Sequence, residues 1–394
     1  MASRTVQPTS RVGSVPKRTL EVDVRGLAAA LQRSVAGEVR FSDGDRHLYS
    51  TDASNFRQIP IGVVLPKTID DVVVTHEICR EFSAPITNRG GGTSLAGQAC
   101  NVAVILDTSK YLREVVHFDP ANRTITCQPG IVLDTLRTFT AQEARLTWGP
   151  DPSTHNRCTI GGMIGNNACG IHAFAYGRTE DNVEAMEVLL YDGTRMWVGP
   201  TSQDELEAII GSGGRRGEVY GRLRDLRDRY AGLIRERFPD IPRRVSGYNL
   251  TELLPEHGFN VARALVGTEG TCVTVLQAKL RLNRYYPQRV LLVLGYPDVF
   301  RAGDHVAEIR RQSKAIALEG MDQKLIEQME ERGLHTDSIG LLPEGRGWLL
   351  VEFGGDTREE ADEQARELME LLGEGDSPPT MRLFEDRNQE AVVW

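Results

Sequence analysis

No run of eighteen apolar residues occurs in this chain, so no membrane-spanning helix is predicted. The first twenty residues carry Arg, Pro, Ser and Thr without an apolar stretch among them, so no secretory signal is visible. Residues 1–19 read as a disordered leader. Positive charge is not in excess: 46 Lys and Arg against 55 Asp and Glu leave a formal net charge of −9. That argues against a nucleic-acid surface, which needs a basic patch. Cysteine is present but unpatterned. Cys79, Cys100, Cys127, Cys158, Cys169 and Cys272 form no C-x-x-C, and none has a histidine at metal-ligand spacing. They read as buried free thiols in a reducing cytoplasm rather than as disulfides or an iron–sulfur site. The histidines are scattered, and no metal site is expected.

What is present is a chain of 394 residues, 40% hydrophobic, long enough for two or three domains. A lead-in helix region is expected over residues 20–55, with Leu27, Leu31 and Val35 on one face. Strands are expected at Ile61–Leu65, Ile86–Thr87 and Val102–Leu106, with a helix from Asp70 to Phe82 whose first turn is acidic, as the helix dipole favours. Val115–Phe118 and Thr124–Cys127 form one hairpin, Glu187–Leu190 and Arg195–Val198 another, and Val132–Phe139 reads as an amphipathic helix. Helices follow at Gln203–Ile210 and Tyr220–Phe238. Gly211–Gly217 between them reads as a flexible surface loop, because Arg216 spoils the G-x-G-x-x-G pattern. Ala262–Val266 and Cys272–Leu282 read as strands joined by the tight turn Gly267–Gly270. From Val290 the texture changes to strand, helix, strand, helix, strand, helix, ending at Leu371, which is most of a ferredoxin-like α+β sheet. Asp376–Trp394 reads as loop with an apolar tip and no capping element.

Two stretches stand apart. Asn88–Gly97, NRGGGTSLAG, follows a strand and holds three consecutive glycines, then Thr93 and Ser94. Successive backbone N–H groups in such a turn make a concave nest for anionic oxygens, and a diphosphate is the obvious guest. No Gly-Lys-Ser/Thr follows, so it is not a P-loop. Pro150–Val183, PDPSTHNRCTIGGMIGNNACGIHAFAYGRTEDNV, is rich in glycine, small residues and hydrogen-bonding side chains. Glycine suits a wall where no side chain is tolerated, and it is poor material for a helix interior. One stretch suits the charges of a long dinucleotide, the other its flat ring.

With these motifs, and with YGRTEDNV at Tyr176, DGT at Asp192 and SGYNLTELLPE…ARALVGTEGT from Ser246 to Thr271, the chain resembles the FAD-binding family of vanillyl-alcohol oxidase and p-cresol methylhydroxylase (PCMH) type. Within it, the chain is similar to the FAD-linked D-2-hydroxy-acid dehydrogenases that act on D-lactate, glycolate or D-2-hydroxyglutarate. The resemblance implies an α+β fold: an FAD-binding domain of two subdomains over residues 56–285, then a ferredoxin-like cap over residues 286–394 that is incomplete at its end. It implies that Arg89, Gly90, Gly91, Gly92, Thr93 and Ser94 hold the FAD diphosphate, with Gly97 nearby. Pro150, Asp151 and Thr154 would line the flavin and ribityl side, and Ile160, Gly161 and Gly162 would pass along the isoalloxazine. Asn167, Gly170 and His172 would contact its pyrimidine side or the ribityl chain, Asp181 and Val183 would lie near the adenosine, and Glu269 and Gly270 would close the site.

Where relatives that attach flavin covalently carry a histidine after the glycines, Thr93 stands here, so FAD is expected to be non-covalent. The family's reaction is hydride transfer from substrate C2 to flavin N5. Its carboxylate-binding arginine and catalytic histidines are expected beyond Trp394, so no catalytic residue is assigned, and the alternative is an FAD-binding fragment or subunit completed by a partner chain. The NNACG-x-H-x-x-x-YG variant of the second loop, Asn166–Gly177, is similar to long relatives that carry an iron–sulfur electron-transfer domain, so such a partner or domain is expected. The expected location is cytoplasmic, with peripheral association to the inner membrane through a partner as the alternative.

Overall fold

Three sheets of four or five strands, each packed on an apolar core, organise the described residues, and a two-stranded ribbon pairs Leu146–Thr147 with Asn283–Arg284. The computed structural model describes residues 22–334, 336–375 and 377–393. The expected leader and Trp394 of the apolar tip lie outside the described residues.

The first sheet is built from β1 (Glu38–Arg40), β2 (Gly62–Leu65), β3 (Ile86–Arg89) and β4 (Val104–Asp107) in the order β1-β2-β4-β3. β2, β4 and β3 are parallel, and β1 runs antiparallel to β2. The central strands β2 and β4 are buried throughout, as continuous apolar runs in a covered parallel sheet should be. The helix Ile69–Glu81 crosses from β2 to β3. Thr68 caps it and Asp71 completes a capping box, satisfying amides that the first turn leaves unpaired. Asp71 does more: its carboxylate also accepts from the amides of Ala36 at 2.8 Å and Lys67 at 2.8 Å, tying the lead-in segment to the helix start.

The second sheet is antiparallel: β5 (Val115–Asp119), β6 (Thr124–Cys127), β7 (Val183–Leu189), β8 (Arg195–Val198) and β9 (Thr274–Arg281), in the order β5-β6-β9-β7-β8. Leu189 and Leu276 from this sheet pack into the first sheet's core, so the two subdomains share apolar contact.

The third sheet comprises β10 (Gln288–Tyr296), β11 (Ala317–Asp322), β12 (Gly347–Gly355) and β13 (Thr380–Leu383), all antiparallel, in the order β11-β12-β10-β13. With helices Val299–Gln312 and Arg358–Gly373 this is the ferredoxin-like β-α-β-β-α-β arrangement. Its fourth strand corrects the expectation of a sheet short of its end: β13 and the helix Arg387–Val393 occupy residues read as loop. Only four residues long and half-exposed, β13 lacks a strong local signal; pairing with β10 makes it a strand.

Three other expectations change. Val261–Leu265 is a helix, not a strand, because the Asn260 side chain accepts from the Arg263 amide and caps it. The Gly267–Gly270 turn therefore joins a helix to β9 rather than two strands of a sheet. The presumed flexible loop Gly211–Gly217 is mostly helical: one helix ends at Gly211 and the next runs Gly214–Arg237. Gly217 lies where a Cβ would be 2.9 Å from the Ile209 carbonyl, so glycine there permits close helix contact. Among the cysteines, Cys79, Cys100, Cys127 and Cys158 are buried as expected, whereas Cys272 is exposed.

Candidate functional site

The glycine stretch Ile160–Asn166 is a helix, against expectation, and the reason lies in what its glycines touch. Thr159 caps the first turn. Gly161 faces Pro129, where a Cβ would come within 2.7 Å of the proline Cβ, so glycine lets this helix seat against the loop after β6. Asn167 ends it in the left-handed conformation at φ 50°, which asparagine tolerates. Gly162 and Gly165 differ from Gly161. A Cβ on Gly165 would meet nothing closer than the Glu269 Cα at 3.9 Å, and one on Gly162 only the Thr159 hydroxyl at 3.3 Å. Both line an open cleft.

The opposite wall is the Asn88–Ser94 turn. Gly90 and Gly91 press on the turn before the helix: a Cβ on Gly90 would collide with Thr159 Oγ1 and one on Gly91 with the Arg157 carbonyl. Gly92 has φ +66°, which only glycine adopts freely. The amides of Gly90, Gly91, Gly92, Thr93 and Ser94 meet no acceptor among the described residues. Five successive unspent donors are what an anion-binding nest requires. Arg89 stands behind them, its guanidinium donating to the carbonyls of Ala99 at 3.2 Å and Thr51 at 2.9 Å. Its charge is fixed in place by backbone, so it acts as a scaffold for the turn.

The two walls bound one cleft, lined by Asn88–Ser94, Gly161, Gly162, Gly165, Thr268, Glu269 and Gly270 among others. Gly91 and Gly162, far apart in the chain, thus share a single groove. The rims are joined by hydrogen bonds: Ser94 Oγ donates to Gln98 Oε1, and Gln98 Nε2 donates to Glu269 Oε1 at 3.2 Å. Glu269 and Gly270 both take positive φ, which aims this turn at the cleft. Side-chain-free space at Gly162 and Gly165 and unspent amides at Gly90–Ser94 fit a flat, doubly charged dinucleotide.

Other residues singled out from the sequence lie elsewhere. Ile160 and Val183 are wholly buried in the second core. Asn167 is buried and paired with Glu180, donating from Nδ2 to Oε2 at 2.7 Å. Burial pushes the Glu180 carboxyl up to about 7, against the pull of Arg178 beside it. Asp181 accepts from the Arg178 amide at 2.8 Å, and Gly97 packs on Phe56. Pro150, Asp151, Thr154, Gly170 and His172 do not line this cleft. Gly170 is pressed against Asp151, and both join His172 in a different arrangement.

His172 is buried between the second and third sheets. Its backbone N–H donates to Asp151 Oδ1 at 3.0 Å, its Nδ1 meets Asp151 Oδ2, and its Nε2 lies 2.7 Å from Glu352 Oε2 on β12. Arg289 on β10 donates to the same Glu352 oxygen at 3.1 Å. Burial disfavours an imidazolium here, but the two carboxylates outweigh it and raise the His172 pKa. Glu352 and Arg289 carry no local sequence signal; they are strand residues of the last sheet, 180 and 117 positions from His172. Asn88 and Gly165, by contrast, sit inside the two stretches already singled out, and Gln98 directly follows the first.

Comparison with known proteins agrees with the geometry. Residues 60–199 match the family described as FAD binding domain, and residues 287–394 the C-terminal domain of FAD-linked oxidases. The chain is 28% identical over 353 residues to D-2-hydroxyglutarate dehydrogenase of Escherichia coli, covering 87% of this chain and 34% of that protein. It is 30% identical over 355 residues to the Pseudomonas putida protein of the same name, covering 88% and 35%. With glycolate oxidase subunit GlcD of Bacillus subtilis it shares 29% identity, covering 82% and 58%. The chain thus spans about a third of the length of the D-2-hydroxyglutarate dehydrogenases it matches. In fold it is similar to alkyldihydroxyacetonephosphate synthase, with TM-score 0.65 at 14% identity over 93% of this chain and 63% of that one. It is also similar to p-cresol methylhydroxylase, with TM-score 0.63 at 13% identity over 94% and 68%. The cleft thus lies mostly in the part of the chain that is similar to the FAD binding domain, and the third sheet in the part that is similar to the C-terminal domain of FAD-linked oxidases.

Proposed function

We propose that this chain is the FAD-holding part of an oxidoreductase of the D-2-hydroxy-acid dehydrogenase type, whose substrate is a small 2-hydroxy acid such as D-2-hydroxyglutarate, D-lactate or glycolate. The observation that carries this reading is the meeting, in one cleft, of five amides without acceptors among the described residues and two glycines, Gly162 and Gly165, with open space ahead of them. The names of the similar proteins supply the substrate class.

FAD, when bound, supplies the acceptor for the hydride that leaves substrate C2. The protein's own part is binding and exclusion. The Gly90–Ser94 amides offset the diphosphate charge, with the Arg89 guanidinium anchored behind the turn. Gly162 and Gly165 keep one wall free of side chains. The Ser94–Gln98–Glu269 hydrogen bonds hold the rims in register, which fixes the width of the groove. The base that takes the hydroxyl proton is assigned to no residue of this chain. An iron–sulfur electron-transfer partner or domain belongs to the proposal, carried by the Asn166–Gly177 variant of the loop.

The test is reconstitution with FAD, followed by anaerobic mixing with each of the three acids. Loss of flavin absorbance with one of them supports the proposal. FAD binding without bleaching by any of them favours an FAD-binding subunit that a partner chain completes. A protein that takes up no FAD would overturn the reading. Because Thr93 offers no imidazole for attachment, acid precipitation should leave the flavin in the supernatant.

A further inference from the structure

Asn88 lines the cleft, and a chain of buried side chains behind it decides which of its amide atoms the cleft meets. His76, on the helix Ile69–Glu81, is 3% exposed. Its Nδ1 lies 2.9 Å from the Val72 carbonyl oxygen and its Nε2 2.9 Å from Thr274 Oγ1 at the start of β9. Thr274 is 4% exposed, and its Oγ1 lies 3.0 Å from the side-chain amide of Asn88 on β3, at the position drawn as Oδ1. The other amide atom points toward Gly270, where an ideal Cβ would be 3.4 Å away, and it meets no partner among the described residues. Both Asn88 and Gly270 line the cleft.

The proton count along this chain has few solutions. A carbonyl oxygen only accepts, so Nδ1 of His76 donates to Val72. Burial pushes the His76 pKa down, so the ring is neutral and its Nε2 carries a lone pair. That nitrogen must then accept from Thr274, whose hydroxyl has one proton and spends it there. Thr274 Oγ1 is left as an acceptor toward Asn88, and only the amide nitrogen can donate to it. The two amide atoms are nearly the same size and are told apart by such networks. The carbonyl oxygen of Asn88 is therefore the atom turned toward Gly270 and the cleft.

We infer that His76 and Thr274 are positioning residues that lock Asn88 as a hydrogen-bond acceptor at the Gly270 end of the cleft, where it selects a donor group of the nucleoside half of the cofactor. An oxygen acceptor repels phosphate and attracts an amine or a hydroxyl. The cleft is thereby polarised: donors for the diphosphate at Gly90–Ser94, an acceptor for the base amine or ribose hydroxyls at Asn88. This rests on the cofactor reading above and deepens it by assigning the direction in which the dinucleotide lies.

Two measurements test it. In histidine-labelled wild-type protein with FAD bound, the imidazole nitrogen shifts of His76, assigned with His76→Gln, should be those of the neutral Nδ1–H tautomer. The Nε2–H tautomer or an imidazolium would overturn the proposal. Second, ADP, IDP and 2′-deoxy-ADP are compared as competitors of FAD on the apoprotein. One analogue should bind roughly tenfold more weakly than ADP, the worth of one hydrogen bond replaced by an opposed pair. A deficit in IDP identifies the base amine as the donor, and a deficit in 2′-deoxy-ADP the ribose hydroxyl. Thr274→Val frees the amide to turn and should erase the discrimination, while Thr274→Ser, which keeps the hydroxyl, should retain it. Equal binding of all three nucleotides by the wild type, or a Thr274→Val variant that discriminates like it, would overturn the proposal. Failure of FAD to bind at all would instead sink the cofactor reading, and this inference with it.

Discussion

Replacing His172 by Leu probes the contact between the cofactor-binding part of the molecule and its last sheet. The side chain is 3% exposed, and those of Asp151 and Glu352 on either side are 9% and 8% exposed. With the imidazole gone, two buried carboxylates face each other without their shared cation. Each keeps one donor: Asp151 Oδ1 the amide of residue 172 at 3.0 Å, and Glu352 Oε2 the Arg289 guanidinium at 3.1 Å. Removing one partner of a buried ion pair costs roughly 3–5 kcal/mol, and the retained donors put this case near the lower end, about 3 kcal/mol. At about 2–4 °C per kcal/mol for a domain of this size, Tm should fall by roughly 6–12 °C. The pH dependence has a definite sign. The folded pKa of His172 lies above the ordinary 6.5, so its stabilisation is fully present below that value and is lost as pH rises through the raised one. Wild-type stability should therefore decline as pH is taken upward from 6.5, and His172→Leu should lack that component. Urea denaturation followed by fluorescence of the buried Trp148 and Trp348, at a series of pH values, reads both effects. Adding Glu352→Gln to the leucine variant removes a buried charge and should restore part of the loss, a coupling visible only in the double variant. A loss below about 1 kcal/mol, the worth of a surface pair, or a pH slope unchanged by the substitution, would refute this reasoning.

The glycines of the second stretch should separate by what faces them. Gly165→Ala, with free space ahead of it, should stabilise the apoprotein by up to about 1 kcal/mol through helix propensity, yet weaken FAD binding in a fluorescence titration. Gly162→Val should weaken FAD binding by roughly 5- to 150-fold, the equivalent of about 1–3 kcal/mol of overpacking. Gly161→Val should instead lower the Tm with or without FAD, since its side chain would strike Pro129. Asp71→Ala strands the amides of Ala36, Lys67 and Thr68, and should cost roughly 3 kcal/mol or more by urea denaturation.

The glycine-run nest was legible because its chemistry is local. Five residues in sequence, Gly90–Ser94, present five amides, and nothing distant is needed to make them a cradle for charge. The helix–strand alternation of the last sheet was legible for the same reason, since apolar periodicity is written residue by residue. Local rules misread the segments whose state depends on a neighbour. Ile160–Asn166 looked unfit for a helix because glycine carries a backbone-entropy cost, but packing of Gly161 on Pro129 offsets it. Val261–Leu265 reads as a strand by apolar pattern alone, but the Asn260 cap makes it a helix, and Thr380–Leu383 reads as loop, but pairing with β10 makes it a strand.

By itself the sequence determined that a side-chain-poor turn follows a strand, that a second such stretch exists, and that charges and flat surfaces of a long cofactor would suit them. Only the tertiary structure decided that the second stretch divides. Its Gly161–Gly165 part turns to the cleft, while Asp151, Gly170 and His172 turn to a strand 180 residues further on. The physical reason is that a glycine's role depends on what lies within 4 Å of its absent side chain, and a buried histidine's on the carboxylates around it. Neither can be known until the chain has brought distant residues together.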